Sequence, residues 1–454
     1  MAQGEISRPS PEFERSFLVP FVVDYDGQRF GKYPPGWPAA LSLGVRAGVS
    51  GWVNPLLSAL TLWLTYRLAN KLLSPGLSVV AELLLLSSPM FLMLSGTFMS
   101  HAFSLFLTLA FMLAWCDLFI DDGERSDVPE WMLVLVAGGS LGLLVLTRPL
   151  TAAAIALPFV VYSMVVIVPR GRTGRQRLIA IGLLSAALAT ILALWQWALT
   201  GDPATNLYTL WWPYDRIGFG PGVGVTESGH NISWAYYNTV FSLRAGQHDL
   251  FGWPYVSWLL LPFGLIGWRR RKLVWLQAGV FLSLVCTYAL YWIGSWLFGP
   301  RYYFEAVSSL SILSAAGFGW VGGWLQGGGR RLRVRRRLSL ALIAFLMLMN
   351  AVFYLPRRVG GVKGLYEIDR QTSTRFVVDL PGQTMIIIRT PRWYRYARYL
   401  YQVEPFMRNH LLIAWSRGEE LDKALIESLP SRTTYYYDVE ERKIEQVHQP
   451  RGDG

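Results

Sequence analysis

The sequence is short of cysteine and of charge, and each shortage excludes something. Its two cysteines, Cys116 and Cys286, both lie inside apolar runs, so it offers neither a disulfide framework nor a thiolate metal site. There is no HExxH or CxxC spacing, so no metal centre and no cofactor is assigned, although outer carboxylates leave a divalent metal open. Residues 1–32 are polar and mixed, with no basic n-region followed by an apolar stretch, which excludes a signal peptide there. Only 16% of residues are charged, too few for an ordinary soluble domain. Internal repeats and low-complexity segments are also missing.

In their place stand apolar residues, 52% of the chain, with 14% aromatic. Apolar stretches of about 17–25 residues recur between short polar breaks, the pattern of a polytopic helical membrane protein. Many of the 20 tryptophans sit at the ends of these runs, as interfacial anchors do. The formal charge of +12 does not point to nucleic acid. It is concentrated in Arg170–Arg177, Arg269–Lys272 and Arg330–Arg337, short breaks between spans where positive charge marks a cytoplasmic loop.

Placing those three clusters inside fixes the parity of the other segments. About ten spans are expected, at 52–73, 77–95, 100–120, 131–147, 149–168, 178–199, 254–268, 273–297, 306–325 and 338–355. Residues 33–50 then begin and end outside and form an interfacial or re-entrant helix. A polar N-terminal tail on the outer face implies a first transmembrane helix upstream of Met1. The expected fold is mainly α: a membrane domain over 52–355 with a long outer loop at 201–253, preceded by an outer-loop remnant at 1–51. A small extracytoplasmic α/β domain follows at 356–454. Its strand-like runs are Arg375–Leu380, Thr384–Arg389, Leu411–Trp415 and Thr433–Val439, with a helical stretch at Glu419–Leu429.

Under this topology charged groups gather on one face. His101 opens a span, Arg148 closes one before Pro149, and Arg301 follows one in Phe298-Gly299-Pro300-Arg301-Tyr302-Tyr303-Phe304-Glu305. Arginine and glutamate near hydrocarbon are costly unless they meet partners or water, so they mark a candidate site. Guanidinium groups suit a phosphate through planar, bidentate hydrogen bonds. A lipid-linked phosphate at headgroup level is the natural anion for them. The outer loop is rich in Gly, Trp, Tyr and His, which suits stacking on a sugar or prenyl chain. Its glycine run does not sit between a strand and a helix and is no nucleotide fingerprint.

The stretch Gly31-Lys32-Tyr33-Pro34-Pro35-Gly36-Trp37-Pro38 resembles the GT-C superfamily of integral-membrane glycosyltransferases. The bacterial relatives it is similar to are dolichyl-phosphate-mannose-protein mannosyltransferase-like and aminoarabinose transferase-like. In these a Pro-Pro motif starts a juxtamembrane helix in the first outer loop. Asn54-Pro55, Ser100-His101, Thr147-Arg148-Pro149, Gly201-Asp202-Pro203, Gly229-His230, Phe251-Gly252-Trp253-Pro254 and Gly299-Pro300-Arg301-Tyr302-Tyr303 continue the likeness through about residue 355. The resemblance implies an inverting transferase that takes a sugar from a polyprenyl-phosphate donor to a lipid, glycan or protein acceptor. It also implies a bacterial plasma-membrane location, with transfer on the outer face. Arg301 and Arg148 become candidates for the donor phosphate, and Lys32, His101, His230, Tyr302 and Glu305 for substrate contacts. The family's catalytic carboxylate belongs just after a first transmembrane helix, so it is expected upstream of Met1, with Asp26 as a substitute.

Two other readings compete with the enzyme. A lipid-linked saccharide transporter or flippase would show inverted repeats and ionisable residues near the bilayer midplane. A non-catalytic membrane scaffold would need only the outer domain.

Overall fold

The computed structural model describes residues 1–120, 128–326, 329–369, 372, 382–403 and 407–450. Their chain forms two compact units, Met1–Glu5 with Tyr33–Arg358, and Ile6–Lys32 with Val359–Gly454.

The first unit is helical. Its elements are α1 (Gly36–Arg46), α2 (Ser50–Asn70), α3 (Pro75–Ser87), α4 (Pro89–Ser95), α5 (His101–Phe119), α6 (Glu130–Val145), α7 (Pro149–Tyr162), α8 (Arg172–Thr200), α9 (Leu207–Trp211), α10 (Ile232–Asp249), α11 (Leu261–Gly267), α12 (Lys272–Tyr288), α13 (Val307–Val321), α14 (Arg330–Met349) and α15 (Leu355–Val362). A 3-10 segment, Arg301–Ala306, leads into α13.

Burial sorts these helices. The apolar windows of α5 and of the segment ending in α13 are 72% and 89% buried, whereas those of α8 and α14 are only 11% buried. So α5 and α13 form the centre, while α8 and α14 turn Leu183, Leu194, Leu338 and Phe345 outward, as lipid-facing helices do. Phe111, Trp115, Phe159 and Tyr162 interlock α5 with α7 at centroid distances of 4.9–5.6 Å. Helices α11 and α13 meet backbone to backbone. A Cβ on Gly264 would lie 2.1 Å from the Leu313 carbonyl oxygen, and one on Gly317 would lie 2.0 Å from that of Leu260. Small residues at a membrane helix interface permit this approach.

The protein is a multi-pass membrane protein, but fewer helices can cross alone than the ten expected. Among the described residues five are long and apolar enough, or six if α3 and α4, bent by 61°, form one span. Helices α6 and α12 have 16 and 17 residues, short of the roughly 20 that span hydrocarbon. Helix α2 carries Asn54, Thr61, Thr65 and Arg67 along its length. The expected span at 254–268 is a run of turns followed by the seven-residue α11, because Pro254 and Pro262 interrupt it.

Opposite charges are joined at the far ends of the helices from His101. Lys71 pairs with Asp117, and Arg177 grips Glu130 through two bonds of 2.8 and 2.5 Å. Arg177 therefore accounts for the acid at 130 beside a basic cluster. The rest of that acidic bend, residues 121–127, lies outside the described residues.

The second unit holds two sheets. Strands β1 (Arg8–Pro9), β2 (Val22–Tyr25) and β3 (Gln28–Gly31) form an antiparallel sheet in the order β1-β3-β2. The second sheet contains β4 (Thr384–Arg389), β5 (Leu411–Trp415), β6 (Thr433–Asp438) and β7 (Lys443–His448), in the order β5-β4-β6-β7. Strand β4 is parallel to β5 and β6, and β7 closes the edge antiparallel to β6. Buried on both faces, β4 reads as the unbroken apolar run expected of a central parallel strand. One face packs on Tyr396 and Tyr399, from α16 (Trp393–Ala397) and the turn after it. The other packs on Leu425 of α17 (Glu419–Ser428) and on Phe17.

Residues 6–32 therefore fold with the C-terminal unit, whereas α1 belongs to the helical one. Phe17 fills its core, and the Trp415 N–H donates to the Ser16 carbonyl at 2.7 Å. Three of the expected strands and the helix lie where the pattern put them, whereas Arg375–Leu380 falls outside the described residues.

Candidate functional site

The distinctive sequence motifs of the first unit meet around the start of α5. Proline lacks an N–H and suits a helix entrance, and α1 begins directly after Pro34-Pro35. The Gly36 N–H donates to the Leu146 carbonyl at 2.7 Å. A Cβ on Gly36 would lie 2.6 Å from Thr147 Oγ1 and 2.7 Å from Leu146 O, so the Pro-Pro motif presses on the turn that carries Arg148. Trp37 Nε1 donates to Phe98 O at 2.7 Å. Asn54 Nδ2 donates to Thr97 O at 2.6 Å and to Met99 O at 2.9 Å. These bonds satisfy the carbonyls of the turn ahead of His101 and fix where that histidine starts its helix.

Arg148 stands just before α7, held from three sides. Its Nε donates to Thr151 Oγ1 at 3.1 Å and its Nη2 to the Tyr288 hydroxyl at 3.0 Å. Its Nη1 lies 3.6 Å from Glu305 Oε1. The Thr151 and Tyr288 hydroxyls are themselves 2.7 Å apart. Glu305 is buried, and Ser104 of α5 donates to its Oε1. The other carboxylate oxygen, Oε2, has no hydrogen-bond partner among the described residues.

His101 is 7% exposed and edge-on to Phe304 at 6.0 Å. Neither ring nitrogen has a hydrogen-bond partner among the described residues, which is costly for a buried imidazole. The charges of both Arg148 and Arg301 act on it. Arg301 is half-buried, with Cζ 5.6 Å from the Tyr302 ring centroid, and forms no ion pair among the described residues. Tyr302 stacks on Tyr288 at 4.8 Å and 4°, with Tyr291 edge-on at 5.5 Å. Thus His101, Arg148, Arg301, Tyr302 and Glu305 are brought together.

The first turn of the outer loop and the Pro-Pro motif add groups that the sequence left unassigned. Tyr33 meets Tyr208 edge-on at 5.7 Å. Burial pushes the Tyr33 hydroxyl up to about 12, against the pull of the Arg301 charge. Burial also raises Tyr208, helped by Tyr33 and opposed by Arg148. Asp215 is a buried carboxylate that accepts from the Tyr291 hydroxyl at 2.6 Å and from Trp292 Nε1 at 3.1 Å. Its charge is felt at Tyr33 and Tyr208. Thr151, Ser104 and Tyr288 carried no signal in the sequence, being ordinary polar residues of apolar helices.

His230 braces the outer loop: its Nε2 is 2.9 Å from Ala289 O, and its ring stacks on Phe219 at 5.2 Å. The glycine run permits this close turn, since Gly229 has φ +71° and a Cβ there would lie 1.8 Å from Gly220 O. Lys32 and Asp26 belong to the second unit. Lys32 is buried, with Nζ 5.1 Å from the Phe21 ring centroid, and Asp26 is exposed at the β2–β3 turn with φ 49°. Among the described residues no group of three His, Cys, Asp or Glu could hold a metal ion.

No family model and no curated protein sequence matches the chain. Solved structures do. It is similar to ArnT from Cupriavidus metallidurans bound to undecaprenyl phosphate, with a TM-score of 0.57 at 13% identity over 89% of this chain and 83% of that one. It is also similar to the archaeal oligosaccharyltransferase AglB from Archaeoglobus fulgidus, in complex with an inhibitory peptide and a dolichol-phosphate. There the TM-score is 0.52 at 12% identity, over 93% of this chain and 63% of that one. Both are GT-C folds.

Proposed function

We propose that this chain, whose fold is the GT-C fold of membrane glycosyltransferases, transfers a sugar from a polyprenyl-phosphate donor to an acceptor. The transfer would take place on the extracytoplasmic face of the bacterial plasma membrane. One arrangement supports the reading: at the start of α5 the buried His101 has neither ring nitrogen hydrogen-bonded among the described residues, and Ser104 one turn on donates to the Glu305 carboxylate that pairs with Arg148, in the same short segment that carries Arg301. Two guanidinium groups and an imidazole suit a phosphate headgroup, the part that the ligands of both similar structures share. A transporter reading has no comparable support.

In the reaction an acceptor hydroxyl attacks the anomeric carbon, the bond from that carbon to the phosphate oxygen breaks, and the phosphate keeps the electron pair. Negative charge grows on that oxygen, so cations aimed at it favour the transition state over the ground state. Arg301, with no carboxylate of its own, is the first candidate for that role. Arg148, partly neutralised by Glu305, is the second, and His101 supplies a ring N–H. The acceptor proton needs a base. Asp26 is only the substitute that the sequence offered, and transfer unaffected by Asp26→Asn assigns the role to another group.

The test uses membranes containing the full-length protein and polyprenyl-phosphate sugars supplied one at a time. Arg301→Ala is expected to lower transfer by about 10²–10³, the effect of removing one transition-state donor, with expression unchanged. Near-normal turnover would remove Arg301 from the mechanism.

A further inference from the structure

The loop that presents Arg301 is clamped from outside the site. Arg358 of α15 reaches Asp249, the last residue of α10, through Nε at 2.8 and 3.0 Å and Nη2 at 2.9 Å. Asp249 is buried and also accepts from the Tyr354 hydroxyl at 2.7 Å. The same Arg358 Nη2 donates to the carbonyls of Trp296 at 3.2 Å and Leu297 at 2.8 Å, five and four positions before Arg301. Between them Gly299 has φ +75°, and a Cβ there would lie 3.0 Å from the Asp249 Cβ and 3.1 Å from that of Met90. Asp249 thus holds the guanidinium that fixes two loop carbonyls, while its own side chain supports the turn leading to Pro300-Arg301.

The helix carrying Arg358 is built for this contact. Residues Asn350–Tyr354 form a π-helical turn, an insertion that rotates the residues after it relative to those before. Asn350 anchors the turn by donating to Ser87 O at 2.6 Å. Beyond it Tyr354 and Arg358, four apart and so on one helix face, both meet Asp249. Arg358 is also the last residue of the helical unit, and the second unit resumes at Val359.

We propose that the Asp249–Arg358 pair is a positioning device for the Leu297–Arg301 loop, setting the guanidinium of Arg301 for the donor phosphate. The inference rests on Arg301 being a phosphate-binding residue, so its test has one readout independent of that reading. In the full-length protein in lipid nanodiscs, hydrogen exchange over residues 296–303 and the affinity for undecaprenyl phosphate are measured for wild type, Arg358→Ala, Arg358→Lys and Asp249→Asn. Removing one member of a bidentate, largely buried pair is expected to raise exchange in that loop about tenfold or more. It should weaken undecaprenyl phosphate by about tenfold while exchange in α5 and α7 stays at wild-type rates. Arg358→Lys keeps charge without the fork and should recover only part of both effects.

Unchanged loop exchange in Arg358→Ala and Asp249→Asn would overturn the clamp. Faster exchange with undiminished phosphate affinity would overturn its positioning role and leave a structural one. Faster loop exchange with no measurable binding even by wild type would sink the phosphate reading of Arg301, while the mechanical link stands. If Arg358→Ala does not fold, Asp249→Asn and Arg358→Lys carry the same comparison.

Discussion

Glu305→Gln separates two roles that the Arg148–Glu305 pair plays together. At 3.6 Å, with side chains 12% and 0% exposed, two unit charges attract by about 4–5 kcal/mol at an effective dielectric near 20. Removing both groups from water costs a large part of that. Glutamine keeps the volume and an acceptor for the Ser104 hydroxyl, so the loss comes mainly from the charge. Tyr288 and Thr151 still hold the guanidinium. The variant should therefore be less stable by about 2–3 kcal/mol, read as a lower thermal unfolding midpoint in detergent. Arg148 then carries its full positive charge toward a bound anion, and undecaprenyl phosphate should bind up to about tenfold tighter. Loss of stability with tighter binding is the expected signature. A variant that keeps wild-type stability and affinity refutes the pair, and one that binds more weakly shows that Glu305 places Arg148 for the anion more than it neutralises it.

Other substitutions check the frame around the site. Gly264→Ala puts a methyl group against the Leu313 carbonyl and should cost about 1–3 kcal/mol by overpacking; unchanged unfolding would argue against the α11–α13 contact. Gly229→Ala meets both a left-handed φ and the Gly220 carbonyl. Limited proteolysis should then cut within residues 201–253 faster than in wild type, and equal rates would count against the His230 brace. Hydrogen bonds from Arg177 hold the Glu130 carboxyl below the usual carboxylate range. A lowered folded value stabilises above the unfolded one and fades as pH falls through the lowered value. Glu130→Gln should therefore flatten part of the acid-side loss of thermal stability, and an identical acid limb would refute the link.

The helical frame was legible because apolar length is a strong signal: α5, α7, α8 and α14 lie where unbroken runs were read. It failed where prolines break the run, at 254–268, because hydropathy does not show where a helix is interrupted. That residues 6–32 fold with the C-terminal unit was not legible for a different reason. Phe13 and Phe17 are ordinary residues until the sheet that covers them is known, and that sheet is formed some 370 residues later in the chain. Strand β7, with its exposed Lys443, Glu445 and Gln446, has no apolar face to announce it.

At the site, charge in an apolar setting was informative because it is expensive, and it drew attention to Arg148, Arg301 and Glu305. Sequence alone ranked the two arginines by motif and gave no means of separating their environments. The partners that do so are 3, 140 and 157 positions from Arg148: Thr151, Tyr288 and Glu305. Those three groups satisfy most of what Arg148 can offer, so its side chain is fixed before any ligand arrives and its charge is partly cancelled. Arg301 has an aromatic neighbour and no counter-ion among the described residues, while its backbone is held by a loop pinned to Arg358. A guanidinium that is positioned but not neutralised costs little to redirect toward an incoming anion. Under the proposed function the division of labour follows from that difference: Arg148 would hold the site together, and Arg301 would be the group left to meet the phosphate.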